Sequence, residues 1–101
     1  MTASLCIASN HPALPGHFPG TPVIPGVVII DAIIARQKID FPQFSAVALR
    51  KIRFLTMLEP GAQFQLEWSD IRGDQLRFRC SLDGAVFADG TLIVADAAAS
   101  L

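Results

Sequence analysis

The sequence is short of charge. Asp, Glu, Lys and Arg make up 17% of its 101 residues against 51% apolar residues, and the formal net charge is only −1. Neither sign dominates enough to draw the chain onto nucleic acid or an anionic membrane surface, so neither partner is expected. No apolar run approaches the roughly 18 residues of a membrane-crossing helix, and no basic segment leads into an apolar stretch at the N-terminus. A cytoplasmic location is the expectation. Cysteine is scarce too: Cys6 and Cys80 both fall at apolar positions of strand-like patterns, which predicts two buried thiols rather than a disulfide. They match no metal-ligand spacing, and no metal site is expected. Internal repeats and linkers are also absent.

A chain of this length holds one core, so residues 1–101 are read as a single domain whose small-residue tail, 96–101, is expected to fray. Its mean hydropathy of +0.45 implies more apolar surface than a lone small globule hides. This predicts an oligomer, a homodimer or larger, or a pairing with a related subunit.

The chain is organised around residues 16–31. Gly16, Pro19, Gly20, Pro22, Pro25 and Gly26 make a stiff loop that carries His17 and Phe18. The loop runs into a helix predicted from about Pro25 to Lys38. Val27 to Ile30 and Ala32 to Ala35 are apolar on every side, the pattern of a helix surrounded by protein. Asp31, alone among them, would stand where a carboxylate is expensive. Before the loop, Ser4 to Ser9 reads as a short strand. Beyond Pro42 the chain reads as strands only: a long one from Phe44 to Leu58 bent near Arg50-Lys51, then alternating runs around Phe64, Leu66 and Trp68 and around Leu76, Phe78 and Cys80, then Val86 to Ala95. Gly73-Asp74 and Asp83-Gly84 are hairpin signals. Arg72-Gly73-Asp74 spells an adhesion tripeptide, but a strand connection suffices to explain it. Periodicity alone yields α+β, one helix on an antiparallel sheet.

Gly16-His17-Phe18-Pro19-Gly20-Thr21-Pro22-Val23-Ile24-Pro25-Gly26, followed by Asp31-Ala32, resembles the active-site motif of the 3-hydroxyacyl-[acyl-carrier-protein] dehydratases, G-H-F-x-G-x-P-x-M-P-G with an acid five residues on. Ile52-Arg53-Phe54 and Glu59-Pro60-Gly61 resemble a strand and turn of the same family, extending the likeness over about residues 5–95. The acid is Asp where the commoner branch has Glu, Ile24 stands for the usual Met, and Ala35 occupies a position that often carries Gln. The resemblance implies a hotdog fold, a curved antiparallel sheet wrapped around a central helix. The N-terminal helix and strand of the usual dehydratase have no counterpart here, which implies a smaller sheet. The short, Asp-bearing form looks most like the dehydratases of aryl polyene and related specialised lipid clusters.

Eliminating water from a 3-hydroxyacyl thioester requires a base at C2, an acid at the hydroxyl and donors on the thioester oxygen. His17 titrates near neutral pH and suits the base. Asp31, if desolvated, suits the acid. The backbone N–H at Gly26 opens the helix and suits the oxyanion. Phe18, Ile29, Ile33, Phe54 and Leu55 are candidates for lining an acyl tunnel. Residues 32–53 hold five of the eight basic residues, Arg36, Lys38, Arg50, Lys51 and Arg53, against one acid, Asp40, and are candidates for docking an acidic acyl carrier protein or its pantetheine phosphate. The resemblance implies no resident cofactor, since the substrate rides on the carrier's phosphopantetheine. It also implies a two-fold dimer whose sites take His17 from one chain and Asp31 from the other. Two other classes fit part of the pattern. A thioesterase on the same fold would use Asp31 to activate water but leaves His17 unexplained, and a non-catalytic acyl-binding or dimerisation module needs neither.

Overall fold

The computed structural model describes residues 2–7 and 24–97. Along the chain come β1 (Thr2–Cys6), α1 (Gly26–Asp40), β2 (Phe44–Phe54), β3 (Gln63–Trp68), β4 (Gln75–Leu82) and β5 (Ala85–Asp96). The five strands form one antiparallel sheet in the order β1-β3-β4-β5-β2, leaving β1 and β2 as its edges. The helix packs on the inner face.

Period-2 alternation decides that face. Phe64, Leu66 and Trp68 of β3, Leu76, Phe78 and Cys80 of β4, and Ala88, Leu92 and Val94 of β5 point inward and meet Val28, Ile29, Ile30 and Ile33 of the helix. Fully burying a side chain such as Leu66, Leu76 or Ile33 contributes about 1.5–3 kcal/mol each. The same alternation corrects one expectation: with Ala3 and Ile7 turned inward, Cys6 faces out and is exposed, and only Cys80 is buried. β1 also begins two residues earlier than its apolar run suggested.

Two tight hairpins set the sheet's register. Leu82 pairs with Ala85 across Asp83-Gly84, whose φ values of 52° and 84° match the twist of the flanking strands. Arg72 and Gln75 exchange both backbone hydrogen bonds across Gly73-Asp74, with Gly73 at φ 62°. The expected bend in β2 is a bulge: the pairing with β5 slips between Arg50 and Arg53, and Lys51 takes a left-handed φ of 54°. The strand ends at Phe54, four residues short of the expected Leu58.

The far end of the helix is locked by a residue whose part was not evident in the sequence. Gln37 is buried, and its amide donates to the carbonyls of Phe41 (3.1 Å) and Phe44 (2.9 Å), joining the helix C-terminus to the start of β2. Beside it Asp40 accepts hydrogen bonds from Arg36 (3.1 Å) and from the indole of Trp68 (2.8 Å), while Trp68 meets Phe41 and Phe78 edge to face. A carboxylate at the negative end of a helix is unfavourable alone, and these two donors offset that.

Candidate active site

The site begins where the chain enters the helix. The Ile24 N–H donates to the Leu58 carbonyl at 2.8 Å, pinning the approach beyond the end of β2. Pro25, at φ −60° and ψ 145°, is the N-cap rather than a first-turn residue, and with no side-chain oxygen it cannot cap the helix. The first turn holds no acidic residue. Val28 and Ile29 donate to the Pro25 carbonyl, so the N–H groups of Gly26 and Val27 are left at the positive end of the dipole with no acceptor among the described residues. They can receive a developing negative charge.

Asp31 lies five residues further, about 7.5 Å along the axis. The structure corrects its expected surroundings: it is exposed, and it makes no hydrogen bond or ion pair to another described residue. The cause is geometric. One sheet covers one side of a helix, here the side of Val28, Ile29, Ile30, Ile33 and Gln37. Val27, Asp31 and Ala35, spaced by four, share the opposite side, and Val27 is 67% exposed. A helix apolar all round is therefore covered on one side only by the described residues. The neighbouring edge strand β2 adds exposed Val47, Leu49 and Phe54, followed by Leu55 and Met57. An apolar helix stripe beside an apolar unpaired edge is the form of a surface that another chain covers.

The other candidates are divided. His17 and Phe18 lie outside the described residues. Of the tunnel set, Ile29 and Ile33 are buried in the core, whereas Phe54 and Leu55 are exposed, so one chain does not bring these four together along one passage. The basic set separates as well. Arg36 is tied to Asp40 by an ion pair of 3.0 Å, and Lys38 is exposed on the helix. Arg50, Lys51 and Arg53 lie instead on the outer face of the sheet, beside Arg77 and Arg79. The two arginines of β4 were visible only as the polar half of an alternating strand. Their alignment with β2 depends on β5 lying between them. Among the described residues, no cluster of His, Cys, Asp or Glu is arranged to hold a metal ion, and no helix is long and apolar enough to cross a membrane.

Residues 1–91 match the family model described as ApeI-like, ApeI dehydratase. The chain belongs to this dehydratase family. A 3-hydroxyacyl-[acyl-carrier-protein] dehydratase FabZ of Herpetosiphon aurantiacus is 34% identical over 104 aligned positions, covering 88% of this chain and 72% of the relative. FabZ of Pelotomaculum thermopropionicum is 35% identical over 69 positions, and there the match spans about half (49%) of the relative's length. Among solved structures, the dehydratase heterocomplex ApeI:P from Xenorhabdus doucetiae superposes with a TM-score of 0.76 at 26% identity, covering 92% of this chain and 84% of that one. The fluoroacetyl-CoA-specific thioesterase FlK, at a TM-score of 0.59 and 14% identity, is alike in fold alone. The architecture is the hotdog fold, as the motif implied.

Proposed function

We propose that the chain dehydrates a (3R)-hydroxyacyl thioester, presented on an acyl carrier protein, to the trans-2-enoyl thioester. His17 takes the C2 proton. The electron pair moves toward the thioester oxygen, which becomes enolate-like and is held by the N–H groups at Gly26, each such donor contributing about 2.7–4 kcal/mol. The C3 hydroxyl leaves as water with a proton from Asp31, and the C2–C3 double bond forms. No resident cofactor takes part, because the acyl group arrives on the carrier's phosphopantetheine.

The observation that carries this reading is the placement of Asp31: exposed, on the uncovered side of the helix, about a turn and a half from the uncapped start at Gly26. A carboxylate so placed has no structural partner among the described residues and is free for chemistry. It lacks only the burial that a proton donor needs. A second subunit against Val27, Ala35 and the β2 edge would supply that burial and bring its own His17 loop to the acid. The subunit would be a second copy or a related hotdog chain. The short Asp-bearing form supports an aryl polyene or related lipid pathway, in the cytoplasm.

The test is to offer 3-hydroxyacyl and saturated acyl carriers of increasing length. Rising enoyl absorbance from the hydroxyacyl carriers supports dehydration. Free thiol from the saturated ones, with no enoyl signal, would make the chain a thioesterase instead.

A further inference from the structure

The outer face of the sheet carries a cross-strand row of alternating charge. Glu67 of β3 pairs with Arg79 of β4, Arg79 with Asp89 of β5, and Asp89 with Arg53 of β2 in the strand register. Arg53 grips Asp89 through two hydrogen bonds of 3.0 and 2.7 Å, and Arg79 reaches Glu67 at 3.0 Å. These exposed pairs add little stability. What they do is consume both carboxylates. One step along the strands the next row is Arg77, Thr91 and Arg50, with Lys51 turned out by the bulge, and none of these three cations has an ion-pair partner among the described residues. The two rows wall a groove of about 920 Å³ that holds five of the chain's eight basic residues and two of its nine acids. The groove is therefore at +3 on a molecule whose net charge is −1.

We infer that this groove is the docking surface for the acidic face of the carrier protein, which places the carrier behind the sheet at β2 instead of along the helix. The inference rests on the dehydratase reading for the identity of the partner, and on charge for the place. An acidic protein surface fits unpaired guanidinium and ammonium groups on two strands, β2 and β4, with paired arginines at their flank. No exposed aromatic ring lines the groove, so bases have nothing to stack on, which disfavours nucleic acid. The position also suits delivery. Arg53 in the groove adjoins Phe54, whose ring covers Gly26, so the groove borders the end of β2 that meets the helix start. Arg36, held by Asp40, and Lys38 are left with no part in docking.

The experiment compares the full chain with the triple variant Arg50→Glu, Lys51→Glu, Arg77→Glu, and with Lys38→Glu on the helix. Binding of the carrier without its pantetheine arm is measured across a salt series, and kcat/KM is measured on carrier-bound and on free small 3-hydroxyacyl thioesters. The triple variant should bind the armless carrier about tenfold or more weakly at low salt, a gap that closes as salt rises. Its loss on the carrier substrate should exceed its loss on the free thioester by a similar factor, with Lys38→Glu close to wild type. Equal carrier binding by wild type and triple variant overturns the inference. So does binding only of the carrier that bears its arm, competed by phosphopantetheine alone, which would make the phosphate the ligand. Charge-dependent binding with no enoyl product from any substrate supports the docking surface and overturns the dehydratase reading.

Discussion

The first residue of the helix lies directly under the ring of Phe54: a Cβ on Gly26 would come within 2.9 Å of Phe54 Cε2 and 3.1 Å of Cζ. The helix start that offers its N–H groups is thus set by close contact with the last residue of edge strand β2. Replacing glycine by alanine in a helix gains about 0.5–1 kcal/mol, but here the ring must move, and crowding of this kind costs about 1–3 kcal/mol. Gly26→Ala is therefore expected to destabilise the wild type and to stabilise a Phe54→Ala background. Denaturant unfolding followed by the fluorescence of the single Trp68 measures both legs of the cycle. The same sign and size in both backgrounds would mean that the contact does not govern the helix start.

Acid should loosen the opposite end of the helix. Burial pushes the Asp40 carboxyl upward, but the hydrogen bonds from Arg36 and Trp68, with the Arg36 charge, outweigh it and leave the group below its ordinary 3.8. A depressed folded value contributes stability that is complete above the unfolded pKa and is lost as pH falls through the folded one. Stability should hold from neutrality to about pH 5 and fall below about pH 4. Asp40→Asn keeps an acceptor for Trp68 yet removes the charge, so it should be less stable at pH 7 and flatter in acid. An unchanged acid limb in that variant would assign the loss to other carboxylates.

The two thiols should differ sharply. Burial pushes Cys80 up to about 12, which leaves it protonated and shielded, whereas Cys6 is exposed on β1 with its Sγ 3.4 Å from the Gly61 carbonyl oxygen. At pH 8 a thiol reagent is expected to label one cysteine of the native protein and both after denaturation. Rapid labelling of Cys80 in the native state would show that the sheet opens at its centre.

What the sequence disclosed follows from which signals are local. The Asp83-Gly84 hairpin and the alternation of Phe64, Leu66, Trp68 and of Leu76, Phe78, Cys80 depend on neighbours two residues apart, and they read directly. The uncovered side of the helix did not, because Val27 is as apolar as Val28 and nothing in the pattern says which one the sheet covers. The outer charge rows were hidden for another reason. Arg50 and Arg53 face Thr91 and Asp89 only through a bulge that breaks the strand's period, so their alignment with Arg77 and Arg79 is long-range. Of the site, the motif marked His17, Gly26 and Asp31 as residues. The structure describes the surroundings of the last two, and His17 lies outside the described residues.

The decisive test of the proposed site is complementation. If His17 is the base and Asp31 the acid, His17→Ala and Asp31→Asn should each lower turnover by well over tenfold, a barrier change above about 1.4 kcal/mol, with Trp68 fluorescence unchanged. Single variants cannot say whether the two groups belong to one chain. Asp31 is exposed on a helix side that β1 to β5 leave bare, and in the proposed dimer its histidine would come from a neighbour. Equal amounts of His17→Ala and Asp31→Ala chains, refolded together, would pair at random, so roughly half of the two-fold dimers would be mixed. Each mixed dimer would hold one site with both groups intact and one with neither, and about a quarter of wild-type activity should return. Were both groups of a site to come from one chain, every site would lack one of them and nothing would return. Mixed dimers confirmed by mass and still inactive would overturn the shared site, while an Asp31→Asn chain that retained activity would remove the acid from the mechanism altogether.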